Sequence, residues 1–537
     1  MRAPSRAALW GILGTAVVAS LLVAPPPVTP EASAREAPRP PNVVMIHMDD
    51  VSMDLVPTMP ELNRLMKRSA RFRNSFVADS LCCTSRAVTF TGQYPHNTGV
   101  RTNYAGSDPA NPEGGWAAFQ RYGNAERSFN VALSRQAPVP YHTALSGKYL
   151  NGFGARQPVP PGWSTFEAVL ADGYQQYGYT MARARRDATG RRYLATQRFG
   201  TRAQDYGTTV QARRALSFVK AHERSDRPYY LQVSSYAAHA RSGAPVHRGD
   251  PQFVPAPQDL PGGTRKDGNC GRVACTSLAV GALPGYDDPS ADNAAVRDDG
   301  TRVAWRGDKK LTPAVRARLD KRFRNRAQMV QAVDRMIGQV RRAIGPHTYL
   351  VVTSDNGYRL GQFRMPNGKA TPYDVDTRVP LIVSGPGVRP GVRRQVVSNV
   401  DLASTFEQIA GVVPRVQRDG SSFLDVLRDP SARGARVAFF EHQRTVAVAG
   451  DPDRESSTRL VPSYLAARTA DALLVRLDLD PGPGVVDGWE FYRGLSRAGA
   501  FERTNTYDPA DPTVRALKQR IAAFDGCTGA VCRTATL

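Results

Sequence analysis

Short apolar runs that stop at acidic or polar residues recur along the chain. "NVVMIHMDD" (42–50), "YYLQVSSYAAH" (229–239) and "TYLVVTSDN" (348–356) share this form, and "RVPLIVSGPG" (378–387) closes on a Gly-Pro-Gly turn. Continuous β-rich runs predict strands buried on both faces, as in a parallel sheet covered by helices. Helical spacing lies between them. It is clearest after "LTPAVRARL", where Thr312 can cap and Pro313 takes the first helical position. Val330, Val333, Ile337, Val340 and Ile344 then recur at helical spacing until Gly345-Pro346 stops the helix. This alternation predicts an α/β fold, whose chemistry collects at the carboxyl ends of the strands. Gly243 to Asp308, rich in Gly, Pro and Asp, reads as a long surface excursion. After residue 430, "ARVAFFEHQ", "YLAARTADALLVRLD" and "GWEFYRG" predict strands of a smaller sheet. Val514, Leu517, Ile521 and Phe524 mark a final helix.

The N-terminus has a different pattern. Arg2 and Arg6 precede an uncharged apolar run, Ala7 to Ala24, and Ala32-Ser33-Ala34 offers a small-x-small cleavage site. Residues 1–34 read as a signal peptide and 35–40 as a linker. The run is close to spanning length, so retention as a membrane anchor is the alternative. No cysteine stands directly after the run to accept a lipid, and no other segment is apolar enough to cross a bilayer. The expected location is therefore secreted, with no stable membrane partner.

Export changes how the cysteines and the charge are read. Cys270 and Cys275 have four residues between them, as do Cys527 and Cys532, and in an oxidising compartment each pair is expected to close a short-loop disulfide. That leaves Cys82 and Cys83 of the six. The net charge is +23, and 62 of the 71 basic residues are Arg. Such a surface is either simply solvated or attracts a polyanion. Nucleic acid is not the expected polyanion, because the chain reads as exported and carries no basic-aromatic interleaving.

Asp49 and Asp50 are adjacent, so in a strand they would point to opposite faces and converge only where the strand ends. Asp355-Asn356 ends another run. Taken singly, each pair fits a helix cap or turn. Together, at neighbouring strand ends, they call for a hard cation, Ca²⁺ or Mg²⁺ rather than zinc. In "SLCCTSRAVTFTGQYPHNTG" (80–99), Thr84 or Ser85 can cap a short helix that Gly92 ends. Cys82 then sits where helix amides favour an anion, and Arg86 lies one turn on. A guanidinium suits a tetrahedral oxyanion such as sulfate or phosphate. By itself the stretch reads rather as a buried thiol pair, or as thiols paired with other cysteines.

With these residues the chain resembles the sulfatase family of the alkaline-phosphatase-like superfamily, from about Pro41 to Arg533. "CCTSRAVTFTG" is similar to the family's Cys-x-Pro/Ala-x-Arg…Thr-Gly signature. Only Cys82 has Arg at the required fourth position, which makes Cys83 the variable residue. "SGKYLNGFG", "SYAAH" and "TSDNGYRLGQF" resemble the family's lysine motif, its catalytic-His strand and its second metal loop, and Lys369 resembles its second sulfate-binding lysine. The Gly-Lys-Tyr-Leu-Asn and Asp-Asn-Gly-Tyr strings are most similar to the N-acetylglucosamine-6-sulfatase-like members.

The resemblance implies a central, mostly parallel sheet flanked by helices (41–430), with a smaller C-terminal antiparallel-sheet subdomain (431–537). It implies a formylglycine made from Cys82 by a dedicated maturation enzyme, and a cation, Ca²⁺ with Mg²⁺ as the alternative. The implied metal set is Asp49, Asp50, Cys82, Asp355 and Asn356. The implied catalytic set is Cys82, Arg86, Lys148, His239 and Lys369, with Lys148, Lys369 and Arg359 contacting a sulfated carbohydrate. Thr84 departs from the preferred Pro or Ala. Leu150 stands where many sulfatases have a second His. Arg359 replaces a His found in near relatives, either as a substrate contact or as an exposed rim residue. A phosphodiester or phosphonate monoester hydrolase, and a non-catalytic binder of sulfated polysaccharide, are the alternatives.

Overall fold

Buried apolar residues alternate between two separate cores along the first strand: Val43 and Met45 enter one, Val44, Ile46 and Met48 the other. This requires a sheet covered on both faces, and the rest of the chain supplies it. The computed structural model describes residues 39–261, 269–445, 451, 453, 457–479 and 487–537. The proposed signal segment lies outside them. The strands are β1 (Asn42–Met48), β2 (Ala70–Phe76), β3 (His142–Lys148), β4 (Thr165–Val169), β5 (Thr180–Arg186), β6 (Arg192–Arg198), β7 (Tyr229–Ser234), β8 (Asn269–Cys270), β9 (Val273–Ala274), β10 (Ala295–Arg297), β11 (Arg302–Val303), β12 (Thr348–Ser354), β13 (Leu381–Ser384), β14 (Gly391–Ser398), β15 (Ala438–His442), β16 (Tyr464–Arg468), β17 (Ala472–Asp478) and β18 (Asp487–Arg493).

Ten strands form one sheet in the order β14-β2-β13-β12-β1-β7-β3-β4-β5-β6. β12, β1, β7, β3 and β4 run parallel, whereas β5 and β13 run antiparallel to their neighbours. β13 is the "PLIVSGPG" run. Burial on both faces makes a strand continuously apolar whichever way it runs, so the pattern shows burial and not direction. The helix Pro313–Ala343 covers one face. Thr312 Oγ1 accepts the Val315 N–H, and Val330, Val333, Ile337 and Val340 are buried.

A second, antiparallel sheet runs β11-β10-β18-β17-β16-β15. Residues 243–308 are therefore not only an excursion. β10 pairs with β18 and brings β11 with it. Runs this short carry no readable periodicity. The helix Pro512–Phe524 packs on this sheet through Phe524, stacked 4.3 Å from Phe439. Cys270–Cys275 and Cys527–Cys532 are disulfide-bonded. Arg39–Leu537 form one compact unit.

Register sets the functional end. Met48 pairs with Ser354, and both His47 and Gly147 pair with Ser234. The residues after β1, β7 and β12, and the last residue of β3, thus emerge side by side. Gly147 has φ +116°, and a Cβ there would lie 1.9 Å from the Ser234 carbonyl oxygen. Gly147→Ala is expected to destabilise the protein by about 2–4 kcal/mol, from overpacking plus backbone strain. A lower denaturant midpoint at unchanged m checks this; an unchanged midpoint would show that β3 and β7 can part at no cost.

Candidate active site

Asp50 has φ +58°, the left-handed region. This break in the strand is what lets two adjacent carboxylates face one pocket. Arg326, buried behind them, donates to the Asp50 carbonyl and stacks its guanidinium 4.7 Å from the Tyr358 ring centre. Opposite, the helix Cys82–Thr91 begins at Cys82 and ends at Gly92, with φ +62°. Neither Thr84 nor Ser85 caps it; Leu81 occupies the cap position without a side-chain bond. Cys82 and Cys83 are both buried free thiols, but only Cys83 joins the hydrophobic core. Its amide donates to Asn103 Oδ1 at 3.0 Å.

Cys82 Sγ is 3.4 Å from Asp49 Oδ1, 3.9 Å from Asp50 Oδ1 and 2.8 Å from Lys369 Nζ. Lys369 Nζ also meets Asp50 Oδ1 and Asp453 Oδ2, each at 2.9 Å. Lys148 Nζ lies 2.7 Å from Asp49 Oδ2, and Arg86 Nε 2.8 Å from Asp355 Oδ2. His239 Nε2 stands 3.5 Å from both Asp50 Oδ2 and Asp453 Oδ1, while its Nδ1 is 2.7 Å from the Ala240 carbonyl, which fixes that nitrogen as the donor. All nine residues that the resemblance assigns to metal and catalysis are therefore in one buried cluster.

Four carboxylates, Asp49, Asp50, Asp355 and Asp453, face Arg86, Lys148, Lys369 and His239. The charges set the proton affinities. Burial lowers that of His239, but Asp50, Asp453 and Asp49 outweigh it and raise its pKa to about 9. Burial pushes the Cys82 thiol well up, beyond what Lys148 and Lys369 restore. Burial also raises Asp355, yet Arg86 and Lys148 bring it below the usual carboxylate range. Burial, with the Arg86 charge, takes His47 on β1 down to about 3.

A cation fits this donor set. Asp50 Oδ2 and Asn356 Oδ1 are buried oxygens with no hydrogen-bond partner among the described residues, and a buried oxygen of this kind is costly unless something positive meets it. One ligand atom each from Asp49, Asp50, Cys82 and His239 lies within 4.8 Å of the others. Asp355 is more committed: its Oδ1 accepts the Asp50 N–H at 3.2 Å and its Oδ2 is held by Arg86.

Three features differ from expectation. Arg359 is fully buried, so it is no rim residue. Its guanidinium pairs with Asp376 and donates to the Lys369 carbonyl at 2.9 Å, which places it behind Lys369 rather than in the cleft. Asp453 had no sequence signal beyond an Asp-rich turn, yet it bridges Lys369, His239 and Asn103. Tyr174 and Tyr236 wall the site, their rings 5.1 and 5.4 Å from Lys148 Nζ, and Tyr174 lies 4.5 Å from the His239 ring. Tyr236 lies inside the "SYAAH" string, but nothing in that string marks it as a wall residue, and Tyr174 lies in no motif. His96 is outside the site; it pairs with Glu441.

The family model described as Sulfatase matches residues 41–412. The chain belongs to the Sulfatase family. N-acetylglucosamine-6-sulfatase of Capra hircus is 30% identical over 74% of the chain and 66% of the goat protein. N-acetylglucosamine-6-sulfatase of Homo sapiens is 28% identical over 92% of the chain and 86% of the human protein. The chain thus spans just under two thirds of the first and most of the second. Among solved structures, one determined with its substrate D-glucosamine-2-N,6-O-disulfate superposes with a TM-score of 0.64 at 19% identity, covering 90% of this chain and 97% of that one. This sulfatase has the central, mostly parallel sheet with helices and the separate small antiparallel sheet of its structural relatives.

Proposed function

We propose that the protein is an exported sulfuric ester hydrolase that removes sulfate from a sulfated sugar. The observation that carries this reading is the convergence on Cys82, at a helix N-terminus, of Lys369, Lys148 and Arg86 around paired carboxylates. Oxidation of Cys82 to formylglycine supplies a hydrated aldehyde hydroxyl as the nucleophile. Asp49, Asp50, Asp355 and Asn356 would hold a divalent cation, Ca²⁺ in preference to Mg²⁺, which would acidify the attacking group and polarise the ester. Lys148 and Lys369 supply ammonium groups for the sulfuryl oxygens, and Arg86 holds Asp355 in place. His239, with Nε2 facing the cleft, delivers a proton to the departing sugar oxygen, and the second hydroxyl of the hydrate then expels sulfate and restores the aldehyde. Arg359, with Asp376, positions the Lys369 backbone.

The relatives named N-acetylglucosamine-6-sulfatase support a 6-O-sulfated glucosamine unit as the substrate. The two disulfides support export, and no described helix is long and apolar enough to cross a membrane. Mass spectrometry of the tryptic peptide 74–86 from secreted protein tests the reading, together with turnover of N-acetylglucosamine-6-sulfate, 4-nitrophenyl sulfate and a phosphonate monoester. An aldehyde at position 82 with sulfate release supports it. An intact thiol and no turnover would overturn it, and faster phosphonate cleavage would favour the other hydrolase class.

Chelation is expected to remove at least about 99% of turnover, by analogy with loss of a major electrostatic stabiliser. It is also expected to lower the thermal midpoint, because a ligand bound only to the folded state stabilises that state. Added Ca²⁺ should restore both. Full activity after exhaustive chelation would remove the cation from the reaction.

A further inference from the structure

A second constellation lies at the opposite end of the large sheet. Arg185 and Arg186 close β5, Arg192 opens β6, Arg135 ends the helix Phe129–Arg135, and Arg227 precedes β7. These five arginines line one groove of about 470 Å³. Backbone carbonyls hold three of them. Arg192 donates to the Trp163 carbonyl at 2.6 Å, and Arg227 to the Pro140 and Tyr141 carbonyls at 2.8 and 3.0 Å. Arg186 donates to the Gly190 carbonyl at 2.8 Å.

The groove's charge is largely uncompensated. Arg135 meets Glu126 at 3.1 Å. Of the nearby acids, Asp187 pairs with Arg191 and Glu167 with Arg183 and Arg214, while Asp226, next to Arg227 in the chain, is in no described ion pair. No described ion pair gives Arg185, Arg186, Arg192 or Arg227 a carboxylate. Burial and the neighbouring Arg186 charge both lower the proton affinity of Arg192, as expected for like charges crowded together. Arginines along an edge strand such as β6 also discourage strand pairing. That device needs charges on the strand itself. It does not need Arg135 and Arg227, which reach the groove from two other segments.

We infer that this groove is a second, non-catalytic site that holds a sulfated polysaccharide through its sulfate groups. Guanidinium forks match a sulfate's oxygens in pairs, and their fixed charge survives partial burial. The choice of a sulfated glycan over other polyanions rests on the proposed esterase reading. The groove lies at the amino ends of β3, β4 and β7, whereas Cys82 faces their carboxyl ends. A seven-residue strand, roughly 20 Å, separates the two ends. Only a polymer can engage both, and its tethering at the groove raises the local concentration of its sulfate esters at Cys82.

The test is heparin affinity of the full secreted chain, read as the NaCl needed for elution and as anisotropy of a fluorescein-labelled heparin oligosaccharide. Arg135→Ala/Arg185→Ala/Arg186→Ala is expected to weaken binding at least tenfold. By analogy with nucleic-acid counterion release, at about 0.7–0.9 per contact, it should flatten the salt slope by about 2. The equal-charge control Arg433→Ala/Arg497→Ala/Arg515→Ala, at exposed arginines elsewhere, should shift elution far less. The triple Arg→Lys variant at 135, 185 and 186 keeps the charge and loses the forks, so its affinity should fall between wild type and the alanine triple, which separates lost charge from lost fold. Equal shifts in the two alanine triples would overturn the groove. Single-stranded DNA of matched length, bound as tightly as heparin through the same arginines, would overturn the glycan assignment. Wild-type turnover of 4-nitrophenyl sulfate is read separately. An inactive protein with groove-dependent retention overturns the esterase and keeps the groove; an active protein with groove-independent retention does the reverse.

Discussion

Cys82→Ala is expected to lower sulfate ester turnover by at least about 10³-fold, the scale on which loss of a covalent nucleophile acts, while the folded state persists. The fold should tolerate the change because Cys82 makes no contact in the hydrophobic clusters; its neighbours are charged groups. The chemistry should not tolerate it. Burial holds the unmodified thiol protonated at neutral pH, so even an intact cysteine is a poor nucleophile there. On the proposed reading, the reaction needs an oxidised residue at this position. Cys83→Ala is the matched comparison: its side chain is core, burial holds its pKa up at about 12, and its loss is expected to cost stability of about 1 kcal/mol with turnover kept within about tenfold. Steady-state turnover of 4-nitrophenyl sulfate by both variants, with their thermal midpoints, checks the pair. Equal activity in Cys82→Ala and wild type would move the nucleophile elsewhere.

The contrast between these two cysteines was legible in the sequence, because only one register puts Arg four residues on. So was the cluster of acids, because an apolar run that stops at Asp marks a strand end, and strand ends in parallel sheets adjoin. The register of β1 with β12 and β7 then did what the runs predicted. What the sequence did not reveal depends on contacts distant in the chain. Asp453 reaches His239 and Lys369 across 214 and 84 residues, with no periodic element around it. Arg359 looked like a substrate contact or a rim residue because it stands where near relatives have a His; in the fold it is buried and pairs with Asp376, a partner that no motif marks. The small-sheet strands β10 and β11 were invisible for a simpler reason: three and two residues cannot show a two-residue period.

His239→Ala should separate substrates by their leaving groups. Turnover of a sugar sulfate is expected to fall by about 10²–10⁴-fold, the usual contribution of a positioned general acid, whereas 4-nitrophenyl sulfate should lose less than about tenfold. The difference arises because a nitrophenolate departs without a proton and a sugar alkoxide does not. The geometry provides the acid. Nδ1 is fixed by the Ala240 carbonyl, and Nε2 points at Asp50 and Asp453 without a hydrogen bond to either. Burial works against the imidazolium, but Asp50, Asp453 and Asp49 outweigh it and raise its pKa to about 9, and Asp453, outside the proposed cation set, still faces the ring when a cation meets the other two. Asp453 meets the same Nε2 as Asp50 and also binds Lys369, so it couples the proposed acid to that ammonium. Across a series of aryl sulfates, the dependence of log kcat on leaving-group pKa should therefore steepen in His239→Ala, and Cys82 oxidation, read by mass, should be unchanged. Equal losses on sugar and nitrophenyl sulfates would mean that His239 acts before the leaving oxygen departs, on binding or on the nucleophile, and the proton would have to come from another group in the cluster.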